Sequence, residues 1–476
     1  MITLGQVKKI YFVGIGGIAM SAAAGIAKTK GFEVVGSDGK NVYSPAKDVL
    51  VTTGIPYITG YNEKNIMDAQ ADLYILSAGE TMSNPEVAYI VNNHLHHASF
   101  AELLYCFSEK QLRIVIAGTH GKSTTTGLLG HVLKNIDDSS FLAGAVLQNY
   151  QSNFYVGDGH YFVFEGDEYK AEFDNPTPKF HYYKADILVL TNLEYDHPDM
   201  FADIESLESE FSQLIEALPQ DGLIVYNGDN ERLTKLVHAS NVSSVSFGLE
   251  NETDFKVEDV SYATGYTTIE ISNKFSKNIS SKLLGMTEQY KIRLPGKINV
   301  YNAVAVIAVL RALGFAHEQI ALEVLSYSGI KRRFEIVGVK NGITLVDDYA
   351  HHPTAVRETL EAARTKFPNA KIWAIFEPHT FSRTQATMVD LAKSFNSANE
   401  VLISEIYPAR EKASEATITS QEAVDAIKKN QPATRLVQSQ QEALGIVKNE
   451  AKAGDVVIIM AVGNFNRLAY ALNEVL

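Results

Sequence analysis

Short apolar runs punctuate the chain at intervals: KIYFVG, DLYILSA, RIVIAG, YFVFEG, DILVLTN and GLIVYN. Each is bounded by glycine, asparagine or an acidic residue, as buried strands are. Between them lie helix-like segments such as IAMSAAAGIAKTKG and TTTGLLGHVL. Strands alternating with helices predict an α/β fold built on mainly parallel sheets. The aliphatic stretch VYNAVAVIAVLRALG from Val300 is interrupted by polar residues. It falls short of the roughly 18 consecutive apolar residues of a membrane span and reads as a buried helix. Residues Phe247–Lys282 are rich in Thr and Ser, with strand-like alternation in TTIEIS, and predict a small antiparallel insertion. Breaks near Ser108–Gln111 and Ser328–Arg332 divide the chain into expected domains at 1–108, 109–329 and 330–476. The length of 476 residues suits about three domains.

Composition narrows the classes. A hydrophobic content of 46% and a charged content of 21% are those of a globular protein. The net charge of −14 argues against non-specific nucleic-acid binding, so local cations must hold any anionic ligand. Cys106 stands alone, which excludes an internal disulfide framework and a Cys zinc cluster. The N-terminal residues lack the apolar segment and cleavage site of a secretory signal. A cytoplasmic protein without membrane insertion is expected.

Chemistry enters with two glycine loops. Gly14, Gly16 and Ala19 fit G-x-G-x-x-A between a strand and a helix, with Gly17 inside the loop and Asp38 after the next strand. Glycines permit close backbone approach and a helix N-terminus attracts a pyrophosphate, so NAD and a UDP-sugar fit equally well here. A second strand runs into Gly118, Thr119, His120, Gly121, Lys122, Ser123 and Thr124, and then into a helix. Exposed backbone N–H groups, a lysine and a hydroxyl make a cradle for ATP phosphates and Mg²⁺. The spacing is shorter than G-x-x-x-x-G-K-[ST], since the first glycine is Gly118. Lys122 is expected to be an exposed cation that supplies charge and little packing. Two nucleotide loops make a simple dehydrogenase awkward and point to activation at the expense of ATP.

Two more strands end in hard ligands: Glu165, Asp167 and Glu168 after YFVF, and Asn192, Asp196 and His197 after DILVL. Ligand groups of open α/β sheets gather at the carboxyl ends of strands, so these can converge on the phosphate loop. Carboxylate oxygens suit Mg²⁺, with Glu165 as first choice.

The succession GIGGIAM, GTHGKSTTT, EGDEY, TNLEYDH, LPGKINVYNA, RRF, DDYAHHPTAV and EPHTFSRT resembles the Mur ligases of peptidoglycan synthesis along essentially the whole chain. The resemblance implies a UDP-muramate-binding domain, a central ATPase domain and a C-terminal domain that receives an amine. It implies ATP and Mg²⁺ as cofactors, with UDP-N-acetylmuramate and an amino acid or short peptide as substrates. Gly14, Gly16, Gly17 and Asp38 would then hold the UDP-sugar. Lys122 would meet ATP phosphates, Ser123 and Glu165 would ligate metal, and His197 would serve the second metal or its shell. Asn299 and Asn302 match the segment beside the adenine and Arg333 the RRF element at the domain junction, and all three would bind ATP. Asp347 and His351 match the groups that close over ATP. Catalytic roles would fall to Lys122, Glu165, His197 and His351.

Departures from the family pattern are specific. Ile298 stands where a His is common, Asn464 follows Ala461-Val462-Gly463 where G-A-G-D is common, and no Lys occurs from Ala185 to Arg232 to serve as a carbamoylated metal bridge. GDEYKAEFDNPTPKFHYY and GSDGKNVYSPAKDVL resemble the branch that attaches a tripeptide, EPHTFSRT and EIYPAREK the branch that attaches L-alanine. The amine is chosen mainly in the C-terminal domain, where the second pair lies, so L-alanine is expected and the tripeptide is the alternative. His379 and Arg383 are the expected readers of the amino acid, a guanidinium being able to hold its carboxylate bidentately. Two rivals remain: an NAD-dependent oxidoreductase, which leaves Lys122 idle, and a catalytically silent nucleotide-binding regulator.

Overall fold

The computed structural model describes residues 2–196, 200–263, 265–274, 287–409, 411–412, 416 and 418–476. Among these, three sheets form. The first has five parallel strands in the order Tyr57–Thr59, Glu33–Asp38, Lys9–Val13, Leu73–Leu76, His97–Ser99. Its order reverses at Lys9–Val13, whose carboxyl end feeds Gly14. A crevice for a ligand opens at such a point.

The second sheet has ten strands and is parallel at its centre, where Leu112–Ala117 lies between Tyr161–Glu165 and Ile187–Leu190. Three strand ends, at Ala117, Glu165 and Leu190, therefore open on one side of the sheet. The polar stretch expected as an insertion lies outside the described residues at 264 and 275–282, and the rest of it extends this same sheet: Phe255–Ala263 pairs in parallel with Ser243–Gly248, then antiparallel with Tyr266–Asn273, which pairs with Thr287–Ile292. Apolar alternation on both flanking strands lets the hairpin share the central core, so it forms no separate lobe.

The third sheet is parallel from Ile343–Asp348 through Val456–Met460, Ile372–Phe376 and Glu400–Ile403 to Thr434–Leu436, with Glu335–Lys340 antiparallel at its edge. Its two faces are covered by separate apolar clusters.

The helix Lys297–Ala312 is buried on nearly every side, from Val300 to Ala312, among residues of the central sheet. No helix of the described residues is long and apolar enough to cross a membrane. The first two sheets are not independent bodies. One continuous cluster joins Phe12 and Ile26 to Leu142, Phe164 and Leu190, and Phe154 packs against Gly25 so closely that a Cβ there would stand 2.4 Å from its ring. The C-terminal domain meets the others through contacts that include Arg467 over the Tyr43 ring at 5.8 Å and Ala362 against Gly296, where a Cβ would stand 2.6 Å from Ala362 Cβ.

Candidate active site at the domain junction

The strand Leu112–Ala117 ends in the second glycine loop, and the helix Lys122–Asp137 starts directly from it. Two of its glycines are dictated by space. A Cβ on Gly118 would lie 2.2 Å from Thr191 Oγ1, and one on Gly121, at φ +82°, would lie 2.3 Å from Asn302 Oδ1. The loop is tied down from outside: the His120 amide donates to Asn192 Oδ1 at 2.8 Å, and Thr119 Oγ1 exchanges bonds with the backbone of Glu194 at 2.9 Å. Thr124 is buried in the first turn of the helix. Asn302 accepts from Thr125 Oγ1 at 3.2 Å and donates to Asn299 at 3.2 Å, so both asparagines of the LPGKINVYNA segment brace this loop.

Lys122 is not the exposed cation expected from the sequence. Its side chain is 12% exposed, and Nζ lies 2.8 Å from Glu168 Oε2 and donates to Gly118 O at 2.6 Å. Glu168 is itself nearly inaccessible at 3%. Burial works against the ammonium, but the carboxylates of Glu168, Asp167 and Glu165 outweigh it and hold the lysine above its ordinary pKa. Asp167 is likewise opposed by burial but drawn down to about 2 by Lys179, 2.7 Å away, and by Lys122. Glu165 faces the other side of the loop. It accepts from Ser123 Oγ at 2.8 Å and from the Gly144 amide at 2.6 Å. A hydroxyl and a carboxylate oxygen side by side are the hard donors that Mg²⁺ takes. His197 lies outside the described residues.

Beside the loop a cleft of about 200 Å³ is lined by His120, Glu194, Asp229, Phe247, Tyr301 and Thr354, among others including Asn302 and Ile298. Asp229 was missed in the sequence, although it follows the strand Leu223–Asn227 and the strand-end rule would have flagged it. Its oxygens are consumed by the amides of Leu249, Glu250 and Asn251 and by Tyr301 OH, so it shapes the cleft wall. Ile298 contributes an aliphatic side chain to that wall.

The C-terminal domain closes this cleft. Thr354 Oγ1 donates to Glu194 at 3.0 Å, and the His352 and His120 rings lie 4.8 Å apart. Donor atoms of His120, Glu194 and His352 all fall within 4.8 Å of one another. However, His352 Nδ1 accepts from the Thr354 amide at 3.3 Å, which leaves the ring proton on Nε2. Within the trio His120 Nε2 lies 3.4 Å from Glu194 Oε2. The His120 ring beside it holds Glu194 down to about 2, and burial, with His120 beside it, brings His352 down to about 4. His351 differs in tautomer: Nδ1 donates to Tyr349 O at 2.9 Å, so the neutral ring presents a free lone pair on Nε2. Burial and the Arg383 guanidinium push it well below the usual histidine range.

His351 and His379 stack edge to face at 5.5 Å, His379 Nδ1 lies 3.1 Å from Arg383 Nη1, and Arg383 Nη2 lies 2.9 Å from Asp196. Arg383 is therefore buried and engaged across the domain junction. Two residues expected to bind ATP do not line this cleft. Asp347 is fully buried on the far face of its strand against Arg332 and Tyr470, since strand alternation sends neighbouring side chains to opposite faces. Arg333 lies over the Tyr349 ring at 5.4 Å and does not line the cleft. In the first domain Asp38 accepts from the Gly16 amide at 2.9 Å, and a Cβ on Gly14 would stand 2.8 Å from Ser77 Cβ. Asp38 thus braces the first glycine loop, and Gly17 caps the helix that follows.

Known proteins share this fold. Residues 9–111 match the Mur ligase family catalytic domain, 116–310 the Mur ligase middle domain, and 332–463 the Mur ligase glutamate ligase domain. The UDP-N-acetylmuramate–L-alanine ligase of Clostridium acetobutylicum is 35% identical, over 96% of this chain and 95% of its own. The same-named enzyme of Clostridium tetani is 33% identical over 97% of both. Among solved structures, a UDP-N-acetylmuramate–alanine ligase of Thermotoga maritima superposes with a TM-score of 0.79 at 25% identity, covering 98% of both chains. A murein peptide ligase of Psychrobacter arcticus gives 0.72 at 27%, again over 98% of both. With all three domains matched in order and full-length relatives above 30% identity, the chain belongs to the Mur ligase family.

Proposed function

We propose that this protein is a cytoplasmic, ATP-dependent ligase that joins the lactyl carboxylate of UDP-N-acetylmuramate to L-alanine through an acyl phosphate, releasing ADP and phosphate. The observation that carries the reading is the meeting of two half-sites at one junction. Lys122, Ser123 and Glu165 stand on the central domain, and His351, His379 and Arg383 are held against it from the C-terminal domain. The full-length relatives that bear the L-alanine ligase name support the choice of amine. Domain limits at 108 and 329 belong to the same proposal.

In this reading Gly14, Gly16 and Gly17 bring backbone close to the UDP pyrophosphate, with Asp38 holding the loop open. ATP phosphates lie on the loop Gly118–Thr124, against the amides at the start of the helix and the Lys122 ammonium. Ser123 and Glu165 would hold Mg²⁺ through hard oxygens, with His197 as the expected further donor, and the ion would neutralise phosphate charge. The muramoyl carboxylate oxygen attacks the γ-phosphorus and ADP leaves. The amine nitrogen then attacks the acyl carbon, phosphate leaves, and the amine's proton passes to Nε2 of His351, which is neutral and unprotonated there at neutral pH. Arg383 and His379 orient the amino acid, and His352, Thr354 and Glu194 exclude water from the nucleotide side.

A second reading, the tripeptide as amine, is favoured by the loop GDEYKAEFDNPTPKFHYY and by the likeness to a murein peptide ligase. The two separate in one assay. Phosphate release from ATP with UDP-N-acetylmuramate is expected with L-alanine and at no more than a few per cent of that rate with the L-Ala-γ-D-Glu-diaminopimelate tripeptide. Preference for the tripeptide would transfer the assignment to the recycling reaction, and release with neither amine would sink both.

A further inference from the structure

Tyr407 and Glu411, from EIYPAREK, touch no reacting group in the mechanism above, but both are tied to the strand end and helix that carry His379 and Arg383. Tyr407 N donates to Pro378 O at 2.8 Å, and Thr380 N donates to Tyr407 O at 2.8 Å. The Tyr407 ring lies 6.0 Å from that of His379. A turn with Ala409 at φ +51° and Glu411 N donating to Pro408 O at 2.8 Å then brings the Glu411 carboxylate back onto the helix Phe381–Leu391. Its Oε2 accepts from the amides of Phe381 at 2.6 Å and Ser382 at 3.3 Å, and Ser382 Oγ donates to its Oε1.

The free amides at the start of this helix are thereby all accounted for. Phe381 and Ser382 donate to Glu411, Arg383 N donates to Thr380 Oγ1 at 3.3 Å, and Thr384 N donates to Thr380 O at 3.2 Å. An incoming carboxylate therefore finds no vacant helix N-terminus here and must be met by side chains. Those side chains stand on the turn that Glu411 pins: His379 just before Thr380, itself at φ +61°, and Arg383 in the first helical turn. A carboxylate at a helix N-terminus makes charge-assisted bonds to backbone amides and is favoured by the helix dipole.

We propose that Glu411 is a positioning residue for the amine substrate: it fixes the first turn of the helix so that His379 and Arg383 face His351 and Asp196. The proposal rests on the reading that the amine enters at His379 and Arg383. Its test compares Glu411→Ala and Glu411→Gln by steady-state kinetics with UDP-N-acetylmuramate, ATP and L-alanine. Losing two anchored amides is expected to raise KM for the amine at least about tenfold in the alanine variant. KM for ATP and for the UDP-sugar should stay within about twofold, because the residues placed in those sites lie outside this turn. Glutamine keeps an acceptor for the amides and a donor for Ser382, and should recover most of the loss. An unchanged amine KM in Glu411→Ala, or a parallel rise in all three KM values, would overturn the proposal. Hydrogen exchange of the peptide spanning residues 379–384 adds a readout that needs no amine. Faster exchange in Glu411→Ala is expected, and equal exchange would also overturn it. Should the alanine variant aggregate, Glu411→Asp, which withdraws the carboxylate by one methylene, carries the same comparisons. Wild-type protein inactive with L-alanine would refute the substrate assignment, leaving the exchange measurement to decide the role of Glu411.

Discussion

Replacing Lys122 by alanine is expected to lower kcat/KM by at least about three orders of magnitude, and also to destabilise the protein. The first effect follows from charge. A carboxylate attacking a phosphoryl group meets like charge, so removing a cation from the phosphate loop removes stabilisation needed most as the new bond forms. The second follows from burial: Glu168 is 3% exposed and lies 2.8 Å from Nζ, so the alanine variant strands a buried carboxylate. Breaking a buried pair by removing one partner costs about 3–5 kcal/mol in proteins generally. Activity loss in the single variant alone would therefore be ambiguous. The pair Lys122→Met with Glu168→Gln separates the causes, because both charges leave together and the pocket keeps its volume. Urea melts should place the double variant near wild type, while phosphate release stays at the level of Lys122→Ala. Recovery of turnover in the double variant would show that Lys122 acts through stability and would remove it from the phosphate site.

The strand ends were legible in the chain because local signals define them: an apolar run, then glycine or an acidic residue, as at Ala117, Glu165 and Leu190. Their convergence was also legible, since parallel strands point their carboxyl ends one way. What was not legible depends on contacts between distant segments. Nothing near Lys122 in the sequence announces Glu168 as its partner, so the lysine reads as an exposed cation until the fold places the loop Gly166–Tyr169 beneath it. Asp347 and Asp348 look alike in DDYAHHP, and only the register of Ile343–Asp348 sends Asp347 towards Arg332 while Asp348 accepts from the amides of Phe334 and Ala350. Adjacent histidines in that motif also acquire opposite tautomers, one from a carbonyl and one from an amide, through backbone groups two residues away. Phe154 against Gly25 shows the same limit, a close contact between distant segments that no local signal announces.

Substitution of Glu165 by alanine is expected to cut turnover at least about a hundredfold at low millimolar Mg²⁺, and to be only partly restored as Mg²⁺ is raised. The geometry separates this carboxylate from its neighbours. Asp167 is committed to Lys179 and Glu168 to Lys122, whereas Glu165 faces Ser123 Oγ at 2.8 Å, the hydroxyl expected to share a cation with the β- and γ-phosphates. Its other oxygen is oriented by the Gly144 amide at 2.6 Å, and a Cβ on Gly144 would lie 2.6 Å from it, so the carboxylate has little room to turn elsewhere. Removing such a ligand leaves water to complete the coordination, which weakens the cation and lets it shift. The Mg²⁺ concentration for half-maximal rate should rise about tenfold or more, with the maximum rate still depressed. Glu168→Ala should behave differently, losing stability as its buried lysine partner is stranded while the Mg²⁺ midpoint of the remaining activity holds. A displacement assay on the folded protein, reading Mn²⁺ by electron paramagnetic resonance in the presence of a non-hydrolysable ATP analogue, measures the same ligand without turnover. Wild-type Mn²⁺ affinity in Glu165→Ala together with lost affinity in Glu168→Ala would exchange the two assignments and place the cation on the lysine side of the loop.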